Sequence, residues 1–136
     1  MQQLMNKLSE QKYIEVHGRC PDTDNVKDIL WAHPSSIKLL HAFSRVLIMD
    51  CTCNTNTYQL PLMEIIRVTS TEIIFSVTFA YLEAEREENF TWCLDNLKSI
   101  MHRYLMPSII VTNGDPPQIN AIEKIPTLFI SYVDGI

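Results

Sequence analysis

Two polar residues follow apolar runs at places where metal-dependent chemistry could occur. Asp50 ends the run at residues 45–50, and Asn113 follows the run at residues 108–112. If the two runs are neighbouring strands, both side chains face one small cleft. Two-metal phosphoryl transfer needs carboxylates at such a place, because Mg²⁺ prefers hard anionic oxygens and must lie near the scissile phosphate. The pair therefore predicts a candidate site with one acid and one amide.

The residues around Asn113 also have structural interpretations. Asn113-Gly114 is either a residue pair that supplies a ligand or a tight-turn dipeptide, and the two interpretations are compatible. Asp115 could supply an acid in place of Asn113. However, Pro116 at the first turn and Gln118 three residues after Asp115 resemble a capping box, which favours a structural role for Asp115.

The cysteines and histidines are better explained as structural residues. Cys51 and Cys53 are interpreted as structural thiols rather than as a metal-binding pair. His33, close to Trp31, is more consistent with a packed or hydrogen-bonded histidine than with a catalytic base, because no nucleophile motif accompanies it. The other histidines lack the spacing of metal ligands: His17, His41 and His102.

The N-terminal part of the chain predicts short helices. Apolar residues recur there at helical spacing in three groups. The groups are Leu4, Met5 and Leu8; Val26, Ile29 and Leu30; and Ile37, Leu40 and Phe43, with Ser35 or Ser36 as a cap of the third helix. We therefore expect an N-terminal helical segment at residues 1–44, followed by a separate α/β domain at residues 45–136.

Residues 45–136 predict three strands, a helix, a strand, a helix and a strand. The first strand ends at Asp50, and short polar links favour antiparallel pairing with the next two. A long helix begins near Glu87, has an apolar stripe from Phe90 to Tyr104 and ends at Pro107. The other elements are strands at Leu60–Thr69, Ile73–Leu82, Ser108–Thr112 and Leu128–Val133, and a helix from Pro116 through Lys124.

Composition and charge limit the class of protein. The 136 residues, 46% hydrophobic and 20% charged, suit one globular domain. No apolar run approaches the roughly 20 residues of a membrane span, and the N-terminus lacks signal-peptide features. We expect an intracellular chain with reduced thiols and no membrane partner. The net charge of −5 predicts poor DNA binding. The acidic run Glu83–Glu88 predicts a solvated helix start.

Several motifs occur in an unbroken order between roughly residues 25 and 130. They are Trp31-Ala-His-Pro34, residues 46–62, Val68-Thr-Ser70, Phe75-Ser-Val-Thr-Phe79, residues 85–92, Ile110-Val-Thr112 and Asn120-Ala-Ile122. Together they resemble the catalytic core of Mutator-like element (MULE) transposases. The order of the elements also resembles a ribonuclease-H-like mixed sheet, in which the first and fourth strands are neighbours.

The resemblance implies an acidic triad of two Asp and one Glu that binds Mg²⁺ or Mn²⁺ and cuts and rejoins DNA ends. By position, the first acid, and with it a vestigial metal ligand, falls on Asp50, whereas the second falls on Asn113, which is not an acid. The third would lie beyond residue 136. Other departures are Cys53-Asn54 in place of Tyr-Lys, Arg67 in place of Gly, and no Cys-x-x-His near residues 130–133.

These departures predict a truncated remnant of a MULE-type transposase core that is not an enzyme and needs no cofactor. DNA is the partner implied for the ancestral family, but we do not expect this fragment alone to bind it. The chain would be nuclear if it follows the family. An exposed sheet could allow self-association. Two alternatives stay open: a domesticated protein-interaction module that uses an exposed sheet edge, and a weakly active metal-dependent nuclease.

Overall fold

Seven strands and four helices make up the part of the chain that the structure, a computed structural model, describes: residues 2–42, 46–52, 59–68, 74–101, 109–112, 115–124 and 129–132. The helices are α1 (Gln2–Glu10), α2 (Pro34–Ala42), α3 (Glu87–Ile100) and α4 (Pro116–Glu123). The strands are β1 (Ile14–Arg19), β2 (Val26–Ala32), β3 (Val46–Thr52), β4 (Leu62–Val68), β5 (Ile74–Tyr81), β6 (Ile109–Thr112) and β7 (Phe129–Tyr132).

All seven strands form one mixed sheet in the order β1-β2-β5-β4-β3-β6-β7. The neighbouring strands β1, β2, β5, β4 and β3 pair antiparallel, each with the next in this order. Strand β6 pairs in parallel with β3, and β7 pairs in parallel with β6. The mixed α/β class is therefore confirmed. The predicted adjacency of the first and fourth strands of residues 45–136 is also confirmed, because β3 pairs with β6 from Val46↔Ile109 to Ile48↔Val111.

The main core involves one face of this sheet and helices α3 and α4. Alternation along β3 buries Leu47 and Met49, with exposures of 1% and 2%. The same core contains the buried apolar residues Met63, Ile65, Phe90, Cys93, Leu94, Leu97, Ala121 and Ile122. Burial of each large side chain contributes about 1.5–3 kcal/mol. This core therefore holds β3 and β4 rigidly in place.

Helix α3 is shorter than the sequence predicted. It ends at Ile100, because Met101 has extended backbone angles, φ −79° and ψ 138°, while its N–H still donates to the carbonyl oxygen of Leu97. The prediction that Pro107 ends this helix is wrong, since the chain has already left the helical conformation at Met101. Tyr104 and Pro107 themselves lie outside the described residues.

The helical interpretation of residues 1–44 is wrong between residues 14 and 32, where β1 and β2 form an antiparallel hairpin. Ile29 and Leu30 are neighbours in β2 and both are 0% exposed, so the strand is buried on both of its faces. A strand buried on both faces lacks the alternation of apolar and polar residues that marks a half-exposed strand. The spacing of Val26, Ile29 and Leu30 also fitted a helix. Because β2 pairs with β5, the sheet extends across the predicted boundary between residues 44 and 45.

The first and third predicted N-terminal helices are confirmed as α1 and α2, but the cap of α2 is not a serine. The ring nitrogen Nδ1 of His33 accepts the backbone N–H of Ser35 at 3.1 Å. The backbone carbonyl of His33 accepts the N–H groups of Ser36 and Ile37. His33 therefore caps α2, and both predicted serine caps lie inside the helix.

Candidate functional site

Asp50 lies third from the end of β3 and is half-buried. Its neighbours Met49 and Cys51 belong to or pack against the main core. Since successive side chains of a strand point to opposite faces, Asp50 is on the face of the sheet away from that core. The strand therefore fixes the backbone of Asp50 firmly and leaves its carboxylate partly accessible.

The strand beside Asp50 is the one that precedes the predicted second site residue. Ile48 pairs with Val111, and β6 ends at Thr112. The prediction that the strand of Asp50 is adjacent to the one ending at Thr112 is confirmed. The prediction that Asp50 ends its strand is wrong, because β3 continues to Thr52. Asn113 follows Thr112 directly in the sequence but lies outside the described residues, so its role as the altered second acid stays a prediction. Cys53 also lies outside them.

A second carboxylate, which the sequence analysis missed, stands opposite Asp50. Glu64 in β4 is the direct cross-strand partner of Asp50 in antiparallel pairing, so both side chains are on the same face of the sheet. Glu64 is half-buried, and its Oε1 accepts a hydrogen bond from the hydroxyl of Ser76 in β5 at 2.5 Å. An acidic residue within Leu62–Val68, a strand in which only Glu64 and Arg67 are charged, was the signal that could have revealed it.

The Asp50–Glu64 pair can attract a hard cation, because two opposed carboxylates lower the cost of bringing a positive charge between them. Within the described ranges, however, no group of three or more His, Cys, Asp or Glu side chains could hold a metal ion. One oxygen of Glu64 is also engaged by Ser76. This donor set does not fit the two-metal centre that the transposase resemblance implies. The expectation of no cofactor stays a prediction.

The predicted capping box at α4 is wrong in its contacts. Asp115 occupies the N-cap position with extended backbone angles and Pro116 follows it, as expected, but the Asp115 side chain makes no capping hydrogen bond. Gln118 instead uses its side-chain oxygen to accept the hydroxyl of Thr112, and both residues are buried. A buried hydrogen bond thus joins the end of β6 to α4, on either side of the segment that contains Asn113.

The two described histidine side chains have structural contacts. His33 caps α2, and its ring meets that of Tyr13 edge-on with 5.1 Å between the centroids. Of the two predicted alternatives, a packed or a hydrogen-bonded histidine, the hydrogen-bonded one is therefore confirmed, at an exposed position. His17 contacts the carboxylate of Glu15 on the same strand at 3.0 Å. The side chain of His41 and all of His102 lie outside the described residues.

The acidic run Glu83–Glu88 leads into α3, as predicted. Glu87 and Glu88 form the first turn of the helix, where negative charge interacts favourably with the helix dipole. Glu87 also forms a 3.1 Å ion pair with Lys124 at the end of α4. Exposed ion pairs of this kind contribute about 0–1 kcal/mol. The run is a solvated helix start and carries no evident chemistry.

The fold and the site define a mixed α/β domain with an acidic residue near the end of a central strand. A family model for the MULE transposase domain matches residues 46–128, from the first residue of β3 to the segment before β7. The chain therefore belongs to the MULE transposase domain family, a family of DNA-cleaving transposases. The β1–β2 hairpin lies outside the matched residues. A search of curated proteins gave no match.

None of the helices among the described residues is long and apolar enough to cross a bilayer.

Proposed function

We propose that this chain is a ribonuclease-H-like MULE transposase core that no longer cleaves or rejoins DNA. The observation that carries the proposal is the pair of strand ends at the candidate site. Asp50 supplies one acid on β3, whereas Asn113 follows the adjacent parallel strand β6 where the family resemblance implies a second acid. The strand order supports the fold, since β5-β4-β3-β6-β7 has three antiparallel strands followed by two parallel ones.

The loss of one carboxylate has a large effect on a metal pair. An amide in place of a carboxylate removes one unit of negative charge from the ligands. At a separation of about 4 Å and an effective dielectric constant near 20, that charge contributes about 4 kcal/mol. This free energy corresponds to roughly a thousandfold in metal affinity or in rate. A single carboxylate holds Mg²⁺ only weakly, because the ion keeps most of its waters. Glu64 opposite Asp50 compensates only in part, because one of its oxygens already accepts the Ser76 hydroxyl.

The test is a Mn²⁺ titration of the wild type beside Asn113→Asp, with Asp50→Asn in both backgrounds as the matched control. Calorimetry should give no saturable binding for the wild type at millimolar Mn²⁺. Asn113→Asp should bind measurably more tightly, and addition of Asp50→Asn should abolish that gain. None of the proteins should cleave DNA in the presence of Mn²⁺.

Sample history must be controlled, because Asn113 precedes Gly114 and this pair is prone to deamidation. Only fresh protein whose peptide mass shows an intact Asn113 should be titrated. The proposal is wrong if such wild-type protein binds Mn²⁺ as tightly as Asn113→Asp and loses the binding in Asp50→Asn.

The second candidate function, a weakly active metal-dependent nuclease, is favoured by the position of Glu64. Its carboxylate is the cross-strand neighbour of Asp50 and could serve as the second anionic ligand. Glu64→Gln distinguishes the two candidates, because the amide oxygen can still accept the Ser76 hydroxyl while the charge is lost. Saturable Mn²⁺ binding and DNA nicking that both disappear in Glu64→Gln would favour the nuclease.

A further inference from the structure

A buried polar contact joins the β1–β2 hairpin to the start of α3. Asp28 of β2 is 3% exposed and Asn89, in the first turn of α3, is 1% exposed. The side-chain amide of Asn89 donates to Oδ1 of Asp28 at 3.0 Å. The backbone N–H of Glu83 donates to the same oxygen at 2.9 Å. One carboxyl oxygen therefore connects the hairpin to α3 and to the loop before it.

This contact lacks one hydrogen-bond donor. The side-chain carbonyl oxygen Oδ1 of Asn89 is buried and has no hydrogen-bond partner. A buried acceptor without a donor lowers the stability of the folded protein. One additional proton, placed as a donor to this oxygen, would remove that cost. Rotating the amide by 180° does not remove the need, because the carbonyl would then face the Asp28 carboxyl, which would need a proton to bond with it.

The carboxyl of Asp28 can supply that proton. A protonated carboxyl has one O–H donor and keeps an oxygen that accepts, so Oδ1 can still receive the N–H groups of Glu83 and Asn89. The hydrogen bonds from Glu83 and Asn89 both end on Oδ1 of Asp28. The other oxygen is therefore available to carry the proton.

The surroundings favour the neutral carboxyl. Burial raises the pKa of Asp28 above its ordinary value, and the nearby charge of Glu83 acts in the same direction, whereas the two hydrogen bonds and the charge of Lys27 lower it. Gly18 of β1 stands opposite Asp28 in the hairpin and carries no charge. From α3, Cys93 faces the same region, and burial raises the pKa of its thiol to about 12. None of the ion pairs among the described residues includes Asp28.

We propose that Asp28 and Asn89 form a proton-dependent latch, in which the neutral carboxyl of Asp28 donates to Oδ1 of Asn89 and holds the hairpin against α3. The latch is complete when the carboxyl carries its proton and weakens when the proton leaves. Because the folded protein binds this proton more tightly than the unfolded chain, the stabilisation is full at low pH and is lost as pH rises through the folded-state pKa. This property is independent of any metal or DNA chemistry at Asp50.

The test compares the full-length wild type with Asp28→Asn by thermal unfolding between pH 4 and pH 8. An asparagine at residue 28 keeps an acceptor oxygen and brings a permanent N–H donor. The Tm of Asp28→Asn should exceed that of the wild type by a few degrees at pH 8, and the difference should shrink towards pH 4. Asp95→Asn, at an exposed position on α3, is the matched control and should show no such trend.

A wild type that is more stable than Asp28→Asn at pH 8, or a difference that does not change with pH, would overturn the proposal. A measurement on the wild type alone covers the case in which Asp28→Asn fails to fold. The chain has seven aspartates, and their ¹³C carboxyl resonances can be followed in a pH titration. One resonance should titrate above the ordinary aspartate value of about 3.9. Seven resonances that titrate at or below that value would contradict the latch.

Discussion

Replacement of Glu64 by Gln should stabilise the protein, because it removes a like-charge contact inside the sheet. Asp50 and Glu64 are direct partners in the β3–β4 ladder, and both are half-buried. Like charges directly opposite each other in a sheet are destabilising. The change keeps the side chain's length and its acceptor for the Ser76 hydroxyl, so charge is the principal difference.

The magnitude follows from the separation of the two side chains. Opposed residues in an antiparallel pair have their Cβ atoms about 5 Å apart. Two unit charges at that distance repel by about 3 kcal/mol at an effective dielectric constant of 20 and by about 1 kcal/mol in water. Because both carboxylates are partly accessible, the lower figure applies. An increase of about 1 kcal/mol in the free energy of unfolding raises the Tm of a domain of this size by about 3–4 °C.

The assay is urea unfolding of the wild type, Glu64→Gln, Asp50→Asn and the double variant at pH 7 in low salt. Each single variant should gain about 1 kcal/mol, and the double variant should gain little more, because the same repulsion can be removed only once. Millimolar Mn²⁺ should stabilise none of the four proteins. High salt should reduce the gain of each single variant.

Two results would refute this reasoning. If Glu64→Gln is less stable than the wild type, the carboxylate contributes more through its contacts than it costs through repulsion. If the two single-variant effects are additive in the double variant, Asp50 and Glu64 do not interact. In either case, repulsion between the carboxylates of Asp50 and Glu64 would not be a net cost to the stability of the folded protein.

Two further predictions concern the cysteines and the exposed part of the sheet. Burial and the charge of Asp28 raise the pKa of Cys93 to about 12, so the group stays a thiol at pH 8 and should resist iodoacetamide in the folded protein. Hydrogen bonds from residues 22 and 23 lower the pKa of Cys20, so Cys20 should react with iodoacetamide before Cys93 does. Peptide mass mapping that finds Cys93 alkylated first would contradict this prediction. Ile74 in β5 is 67% exposed. We expect the protein to self-associate in light scattering and Ile74→Thr to reduce this association. A wild type that is monomeric at micromolar concentration would contradict the prediction.

The central strands and helices could be predicted from the sequence because their patterns are local. In β5, four apolar residues, Phe75, Val77, Phe79 and Tyr81, alternate with smaller ones, which was enough to predict a strand. Burial in the structure does not follow that alternation, because Val77, Thr78 and Ala80 are all buried. Helix α3 likewise has one continuous apolar stripe, which requires no knowledge of its partner. The position of Asp50 at the end of an apolar run followed from the same kind of evidence.

The remaining features depend on contacts between distant parts of the chain. The second strand of the hairpin is buried on both faces, which removed the alternation that would have identified it. Glu64 was missed because the register of β3 against β4 brings it opposite Asp50, and register is not visible in either strand alone. The partner of Gln118 proved to be Thr112 in the preceding strand, whereas the local pattern indicated a helix cap.

The hairpin at the edge of the sheet has a consequence for biosynthesis. β2 ends at Ala32, and its second partner, β5, ends at Tyr81, 49 residues later. At about 5–20 residues per second, translation of those 49 residues takes roughly 2.5–10 s. During that interval the nascent chain presents a strand edge without its partner, and such edges readily pair with other chains. Ribosomes close together on one message would therefore favour misassembly between neighbouring nascent chains at this hairpin.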